Sequence, residues 1–354
     1  MDTSTTVTGG GAELASGAST PRRRWIWREL LAAALTLSLL GWLLSRLDWA
    51  RVRPFVTHID PVLVGAAFLV YAASYVARAL RWQLLLQRRD LTFADLYLIT
   101  SAHIMFNNLL PSRIGELSYV VLLKQQRGVT TADGVVSLLV SRFLDFITLG
   151  LIFLLSVASF RGTHAVQAFK NLPLVAVSSV VVLSIGLAAL PRLTVACHAW
   201  LRRDLGRLVP GSLRARIERG AERVVETFER TAGTAVYLKA GLLSLVIWYA
   251  KFLAFTFMVH AMHDAGTVSR MSFFTVVIGS TAAELTTITP FHGVAGIGTY
   301  ETAWAWVFHN VLGIDQNLAI LTGFGVHILT LFFSIVLGGL AYLALRLRVR
   351  AAGE

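Results

Sequence analysis

Apolar stretches of roughly the length of a membrane-spanning helix alternate along this chain with short polar or basic connections. A transmembrane helix needs about 20 predominantly apolar residues. By this criterion we predict about six full spans, at residues 30–44, 61–86, 134–159, 172–190, 241–262 and 318–345. The pattern therefore predicts an all-α polytopic membrane protein.

Two further apolar segments, residues 93–124 and 273–310, are interrupted by proline, glycine and polar residues. Pro111 breaks the first segment and Pro290 breaks the second, because proline removes a helical hydrogen bond. The first segment is also too short for two full crossings. Groups that leave a helix within hydrocarbon must face protein or water. We therefore predict two re-entrant helical hairpins.

The distribution of lysine and arginine predicts the topology. Cytoplasmic loops are enriched in these residues, and residues 192–239 carry ten of them against five Asp and Glu. With this loop and both termini in the cytoplasm, the hairpins enter from opposite sides, which is the inverted repeat of many transporters. The predicted order is a disordered tail (1–24), a first membrane half (25–190), the basic loop (191–239), a second membrane half (240–345) and a tail (346–354).

Composition agrees with this class of protein, since 55% of residues are hydrophobic, 15% are charged and the mean hydropathy is +0.65. The formal charge of +12 suits contact with anionic lipid headgroups, and we expect no nucleic-acid partner. The single cysteine, Cys197, excludes an intramolecular disulfide and a cysteine-based metal site. We interpret His260, His263 and Asp264 as an interfacial polar turn, so no metal or cofactor is predicted.

Ionisable residues inside the predicted spans are candidates for function, because charge is costly in hydrocarbon. Arg142 and Asp145 share a helical face at i and i+3. They either neutralise one another or line a substrate pathway. Arg78 lies on one face with Tyr71 and Trp82, and Arg81 lies on the next turn. The two arginines either mark the cytoplasmic end of their helix or line a headgroup pocket.

A repeated interval adds support for two related halves. Glu116 precedes Arg142 by 26 residues, and Glu301 precedes His327 by the same interval. This match is modest support for the inverted repeat.

The basic loop contains one amphipathic pattern. Ser212 is positioned to cap a helix, and Ile217, Val224 and Phe228 form an apolar stripe opposite charged residues. Such a helix either lies on the membrane surface or packs against the protein's own cytoplasmic face. Its stripe is too small to form an independent core.

Three ordered motifs carry a resemblance to a known family. Residues 107–116 read N-N-L-L-P-S-R-I-G-E, residues 137–145 follow S-x-x-x-x-R-x-x-D, and residues 290–301 follow P-x-x-G-G-x-G-x-x-E in spaced form. These motifs resemble signatures of the lysylphosphatidylglycerol synthase transmembrane, or flippase-like, family over about residues 61–345. Two positions depart from the family pattern: Tyr119 stands where relatives often carry an arginine, and the late glycine pair is split as Gly293 and Gly296.

The resemblance implies a flippase or exporter that moves an anionic or aminoacylated phospholipid, such as a phosphatidylglycerol derivative, or a polyprenyl-phosphate-linked lipid. It implies a multi-pass protein of the cell inner (plasma) membrane, with a separately encoded lipid-modifying synthase or glycosyltransferase as a candidate partner. No soluble synthase domain follows Glu354, so we expect a transporter and not an enzyme. The alternative is a membrane-embedded transferase that acts on a lipid-linked substrate.

The candidate substrate-binding residues are those with polar or charged side chains in the motifs and spans: Arg78, Asn107, Asn108, Arg113, Glu116, Arg142, Asp145, Glu301 and His327. The arginines offer a fixed fork of donors that suits a phosphate. The carboxylates either hold those arginines, receive a cationic group or carry coupling protons.

Overall fold

A computed structural model of the protein describes residues 34, 36–88, 90–110, 114–159, 172–204, 211–231, 233–262, 271–287 and 294–351. The described residues form helices and connections, with no strand among them. The helices in chain order are α1 (Thr36–Ser45), α2 (Trp49–Thr57), α3 (Pro61–Leu86), α4 (Phe93–Leu109), α5 (Ile114–Arg127), α6 (Thr131–Ser159), α7 (Leu172–Asp204), α8 (Gly211–Thr231), α9 (Thr234–Ala261), α10 (Phe273–Thr286), α11 (Thr299–Trp306) and α12 (Gln316–Ala351).

Five helices of the described residues are long and apolar enough to cross a membrane: α3, α6, α7, α9 and α12. The predicted fold class, an all-α polytopic membrane protein, is confirmed. The remaining predicted span, residues 30–44, is the first in the chain and lies only partly within the described residues. Its later part forms the ten-residue apolar helix α1. The predicted tail at 1–24 lies outside the described residues.

The helix starts follow local sequence signals. Asp60 caps α3 by accepting the backbone N–H of Val62 at 2.8 Å, and Pro61 occupies the first turn, where its missing N–H costs nothing. Thr92 and Asp95 form a reciprocal capping box at the start of α4. These caps set where the first long helix and the first interrupted segment begin.

Each interrupted segment consists of two short helices that pack on each other, α4 on α5 and α10 on α11. Their lengths of 17, 14, 14 and 8 residues are below the length of a full span. Pro111, Arg113 and Pro290 lie outside the described residues. Hairpin depth and inverted orientation therefore remain predictions.

Gly115 explains how closely α4 and α5 approach. A Cβ atom at this position would lie 2.4 Å from the Cα atom of Asn107, which is too close for any side chain. The backbone of α5 therefore touches that of α4 beside the amide pair of the first motif. The glycine of this motif is a packing requirement of the hairpin.

The basic loop is more helical than predicted. Helix α7 continues through Pro191 to Asp204, so residues 191–204 belong to a helix and not to a loop. The proline removes one backbone donor, but the helix continues on both sides of it. Ser212 lies inside α8, whose described start is Gly211, so it is not the predicted cap. Helix α12 likewise extends to Ala351, through the first part of the predicted tail.

Helix α8 packs against the protein itself, on α6 and α7. Phe228 is fully buried there, and Thr227 and Arg230 both donate hydrogen bonds to Asp133 in the first turn of α6. Of the two interpretations of the amphipathic helix, the structure shows packing on the protein's own face. This contact attaches α8, which lies between the two predicted membrane halves in the chain, to helix α6 of the first half.

Candidate functional site

A polar cavity lies between the helices, lined by α3, α4, α5 and α6 from the first half and by α9, α10, α11 and α12 from the second. Its charged lining residues are Arg78, Arg81, Glu116, Arg142, Asp145, Lys251 and Glu284, and His103 and His327 line it as well. Buried charge is tolerable in such a place only when it is paired or faces water. The partners of each group therefore decide what the cavity can bind.

Asp145 is the most strongly held carboxylate. Arg81 on α3 donates from Nη1 to Oδ1 of Asp145 at 2.5 Å, and also to the hydroxyl of Ser244 at 2.7 Å. Trp248 on α9 donates its indole N–H to the same carboxylate oxygen at 3.1 Å. Arg142 is a weaker partner, with Nη1 3.6 Å from Oδ2 of Asp145. The predicted Arg142–Asp145 contact exists, but Arg81 carries most of the pairing.

Arg142 bridges to the first hairpin. Its Nη2 lies 3.3 Å from Oε1 of Glu116 on α5, and both side chains keep some exposure within the cavity. Asn107 and Asn108, at the end of α4, line the cavity nearby. The structure thus brings Glu116, Arg142 and Asp145 together, while Arg113 lies outside the described residues.

The second half contributes two further ion pairs. Lys251 on α9 lies 2.7 Å from Glu284 on α10, and the side chains of both residues are largely buried. His327 on α12 lies 2.6 Å from Glu301 on α11. Only His327 of this last pair lines the cavity, since Glu301 is buried behind it. Predicted residues His327 and Glu301 therefore meet, although Glu301 does not reach the cavity surface.

The two pairs separated by 26 residues, Glu116 with Arg142 and Glu301 with His327, are both in contact. Each joins the helix that follows a hairpin break to the long helix after it. Matching contacts at matching intervals are the geometry expected of two related halves.

Arg78 differs from the other cations of the cavity. Among the described residues it forms no ion pair, and its Nε is buried without a hydrogen-bond partner. The described lining contains four Lys and Arg side chains against three carboxylates, each of which already contacts one of the other cations. With histidine neutral, the described lining therefore has one more cation than carboxylates, and Arg78 is the one of these cations that forms no ion pair within the described residues.

Several lining residues escaped the sequence analysis as site candidates, namely Trp248, Lys251 and Glu284. Lys251 and Glu284 are charges within apolar segments, and that signal alone could have marked them as a pair. Arg81 shares a span with Arg78, but its sequence position does not reveal which helix it meets. Tyr119, at the position where relatives often carry arginine, is fully buried and stacks on Trp82 with ring centroids 4.1 Å apart.

No group of three or more His, Cys, Asp or Glu side chains that could hold a metal ion occurs within the described ranges. His263 and Asp264 lie outside those ranges, whereas His260 contacts the carbonyl of Met271 at 2.9 Å.

The fold and the cavity together define a polytopic helical membrane protein with a charged interior site. The family described as "Lysylphosphatidylglycerol synthase TM region" matches residues 30–338, and the chain belongs to this family, which confirms the resemblance. The chain is also similar to Glycosyltransferase AglD of Haloferax volcanii, with 25% identity over 319 residues that cover 80% of this chain and 49% of the relative. It spans about half the length of that curated relative.

Proposed function

We propose that this protein moves a phosphate-bearing lipid, anionic or aminoacylated, between the leaflets of its membrane, with the lipid headgroup in the interior cavity. The observation that carries the proposal is Arg78, which forms no ion pair among the described residues, in a cavity whose described carboxylates are all paired. A cation in such an interior without a close counter-ion is costly. An anionic ligand removes that cost when it binds.

The headgroup feature that fits best is a phosphate. The guanidinium of Arg78 offers a planar fork of donors that matches two phosphate oxygens. Asn107 and Asn108 line the same cavity and add amide donors that do not change its charge. Arg142, which is held by Glu116 at 3.3 Å, can exchange part of that contact for a ligand oxygen.

Family and relative indicate which lipids to test. The family description names lysylphosphatidylglycerol, and the relative is named a glycosyltransferase. The candidates are therefore phosphatidylglycerol, its aminoacylated form and a polyprenyl-phosphate-linked sugar. In each of them a phosphate connects the apolar chains to the headgroup, so a site built around Arg78 serves all three.

A membrane-embedded transferase is the second candidate, and the name of the relative is what favours it. A transferase needs a group free to act as base or nucleophile. The carboxylates of Asp145, Glu284 and Glu116 each contact a cation within 3.6 Å. They are therefore better suited to stabilising the structure than to abstracting a proton from a substrate. We therefore rank lipid movement first.

The proposal includes a location and a topology. In this proposal the protein lies in the inner (plasma) membrane, and both termini and α8 face the cytoplasm. The basic residues around α8 support this orientation. The hairpins α4–α5 and α10–α11 then enter from opposite sides. A separately encoded synthase or glycosyltransferase that makes or uses the lipid is the expected partner.

Reconstitution into phosphatidylcholine vesicles tests the function. Fluorescent phosphatidylglycerol, lysylphosphatidylglycerol and a polyprenyl-phosphate sugar are placed in one leaflet, and their movement is followed by quenching from outside. Movement of at least one lipid without chemical change supports the transporter. Chemical conversion of the lipid, detected by mass spectrometry, would instead establish the transferase, and no movement of any of the three would reject the proposal.

A further inference from the structure

Glu301 and His327 form a buried pair that anion binding does not explain. Nδ1 of His327 lies 2.6 Å from Oε1 of Glu301, and both side chains are buried. The second oxygen, Oε2, accepts the backbone N–H of Gly298 at 2.7 Å. Both carboxylate oxygens are thus engaged, and the carboxylate is held against the imidazole. A partner at one ring nitrogen fixes the orientation of a histidine.

This pair is the second-half counterpart of Glu116 and Arg142. In each half a glutamate meets the basic residue 26 positions later. Arginine stays charged at any physiological pH, whereas histidine gains or loses its charge between about pH 5 and 8. One half of the cavity therefore presents a permanent cation, and the other presents a cation that depends on a proton.

We propose that His327, held by Glu301, takes up one proton for each anionic lipid that is moved, so that a pH gradient drives the lipid. This inference rests on the proposed function. Nδ1 donates to Glu301, which leaves Nε2 to accept a proton from water in the cavity. The new N–H bond forms at Nε2, and Nδ1 keeps its contact with Glu301.

Other titratable groups share the cavity with His327. Tyr71 and Arg78 belong to α3, His103 to α4, Lys251 to α9 and Glu284 to α10, and on α11 the ring centroid of Tyr300 is 4.5 Å from that of His327. Lys251 and Glu284 form an ion pair at 2.7 Å, so their summed charge is zero before and after a ligand binds. The variable charge is that of the headgroup.

Coupling then follows from linkage. An anion bound opposite Arg78 favours the imidazolium, because opposite charges in a poorly solvated cavity attract strongly. By reciprocity, protonated His327 binds the anion more tightly by the same factor. Proton and anion enter together as a neutral pair, which also lowers the cost of carrying the headgroup through the membrane.

The test uses the full chain in phosphatidylcholine vesicles, with potassium and valinomycin holding the membrane potential at zero. The probes are the same fluorescent phosphatidylglycerol, lysylphosphatidylglycerol and polyprenyl-phosphate sugar, each assayed alone. With one proton per lipid, a gradient of one pH unit shifts the final leaflet ratio of the moved lipid about tenfold. If wild-type protein moves a lipid and the ratio ignores the gradient, the coupling is rejected while the proposed function stands. If no probe moves under any gradient, the proposed function fails and the coupling fails with it.

Three variants locate the proton. His327→Gln and Glu301→Gln should leave a leaflet ratio near one under the gradient. His309→Gln is the control, because His309 does not line the cavity and its Nδ1 contacts the carbonyl oxygen of Ile314 at 2.9 Å and not a carboxylate. It should keep the tenfold response. Loss of the response in His309→Gln, or its retention in His327→Gln, overturns the assignment; should His327→Gln aggregate, Glu301→Gln and the wild-type gradient decide.

Discussion

Arg81 and Asp145, on α3 and α6, are joined by a buried two-point ion pair, with Nη1 2.5 Å from Oδ1 and Nη2 3.3 Å from Oδ2. Both residues are almost completely buried. Ser244 and Trp248 on α9 complete the contact, so three long helices meet at this point. The pair joins α3 and α6, the two helices that carry the cavity-lining residues Arg78 and Arg142.

Removing one member of this pair should destabilise the protein strongly. Arg81→Met leaves the Asp145 carboxylate buried without its main counter-ion, which costs about 3–5 kcal/mol. The double change Arg81→Met with Asp145→Leu should recover part of that loss, because no charge is then left alone. Chemical unfolding of the purified protein in detergent measures both effects. Equal stability of Arg81→Met and wild type would contradict a structural role for the pair.

Arg78 should behave in the opposite way. Arg78→Gln removes a cation that has no ion pair among the described residues, so we expect the melting temperature to equal that of wild type or to exceed it by about 2 °C. Lipid movement should fall at least about tenfold, since a lost charge-assisted contact is worth roughly 1.5–3 kcal/mol. Arg78→Lys should restore only part of the rate, because lysine lacks the planar fork. Full transport by a stable Arg78→Gln variant would remove Arg78 from the site.

The first hairpin should not tolerate a side chain at Gly115. Gly115→Ala would place a Cβ atom 2.4 Å from the backbone of Asn107 and force α4 and α5 apart. We expect loss of both stability and lipid movement. Gly65→Ala is the matched control within α3, because nothing lies within 4 Å of its Cβ, and it should be neutral or stabilising by about 0.5–1 kcal/mol. Thermal unfolding of both variants checks this prediction, and a stable, active Gly115→Ala protein would contradict the backbone contact.

The inverted topology is testable with single cysteines. Gln125, near the end of α5, and Asn310, just after α11, are both exposed. Cys197 is exposed as well, so it must first be changed to serine. With an impermeant maleimide, Gln125→Cys should react only from the cytoplasm and Asn310→Cys only from outside. Labelling of both positions from the same side would rule out hairpins of opposite orientation.

Helix α8 should loosen when its contact with α6 is weakened. Asp133→Asn removes the charge that Arg230 contacts at 2.7 Å, and Phe228→Ala deletes a fully buried ring. Large-to-small changes at such sites cost about 3–5 kcal/mol. Amide hydrogen exchange across Gly211–Thr231 should accelerate in both variants, whereas Glu229→Gln, an exposed change in the same helix, should leave it unaltered. Unchanged exchange in Phe228→Ala would show that the membrane, and not α6, holds the helix.

Much of the architecture could be predicted from the sequence because hydrocarbon imposes a length and a composition on each span. The cores of α3, α6, α9 and α12 follow directly from the apolar runs. The described helices α4 and α10 end at Leu109 and Thr286, shortly before the positions where proline was predicted to interrupt each segment. The predicted end of the fourth span at residue 190 was wrong by more than a turn, because α7 continues through Pro191 to Asp204. One proline did not stop a helix that packs against its neighbours.

The sequence by itself determined which charges lie within apolar segments and which of them share a helical face, as with Arg142 and Asp145. Only the tertiary structure decided that Asp145 pairs mainly with Arg81, that Lys251 meets Glu284 and that Arg78 forms no ion pair in the part of the chain that is described. Helical periodicity specifies the face of one helix, but neighbouring helices in lipid are selected by close packing and not by hydrophobicity. The choice of partner therefore depends on contacts between residues far apart in the chain, which no local pattern encodes.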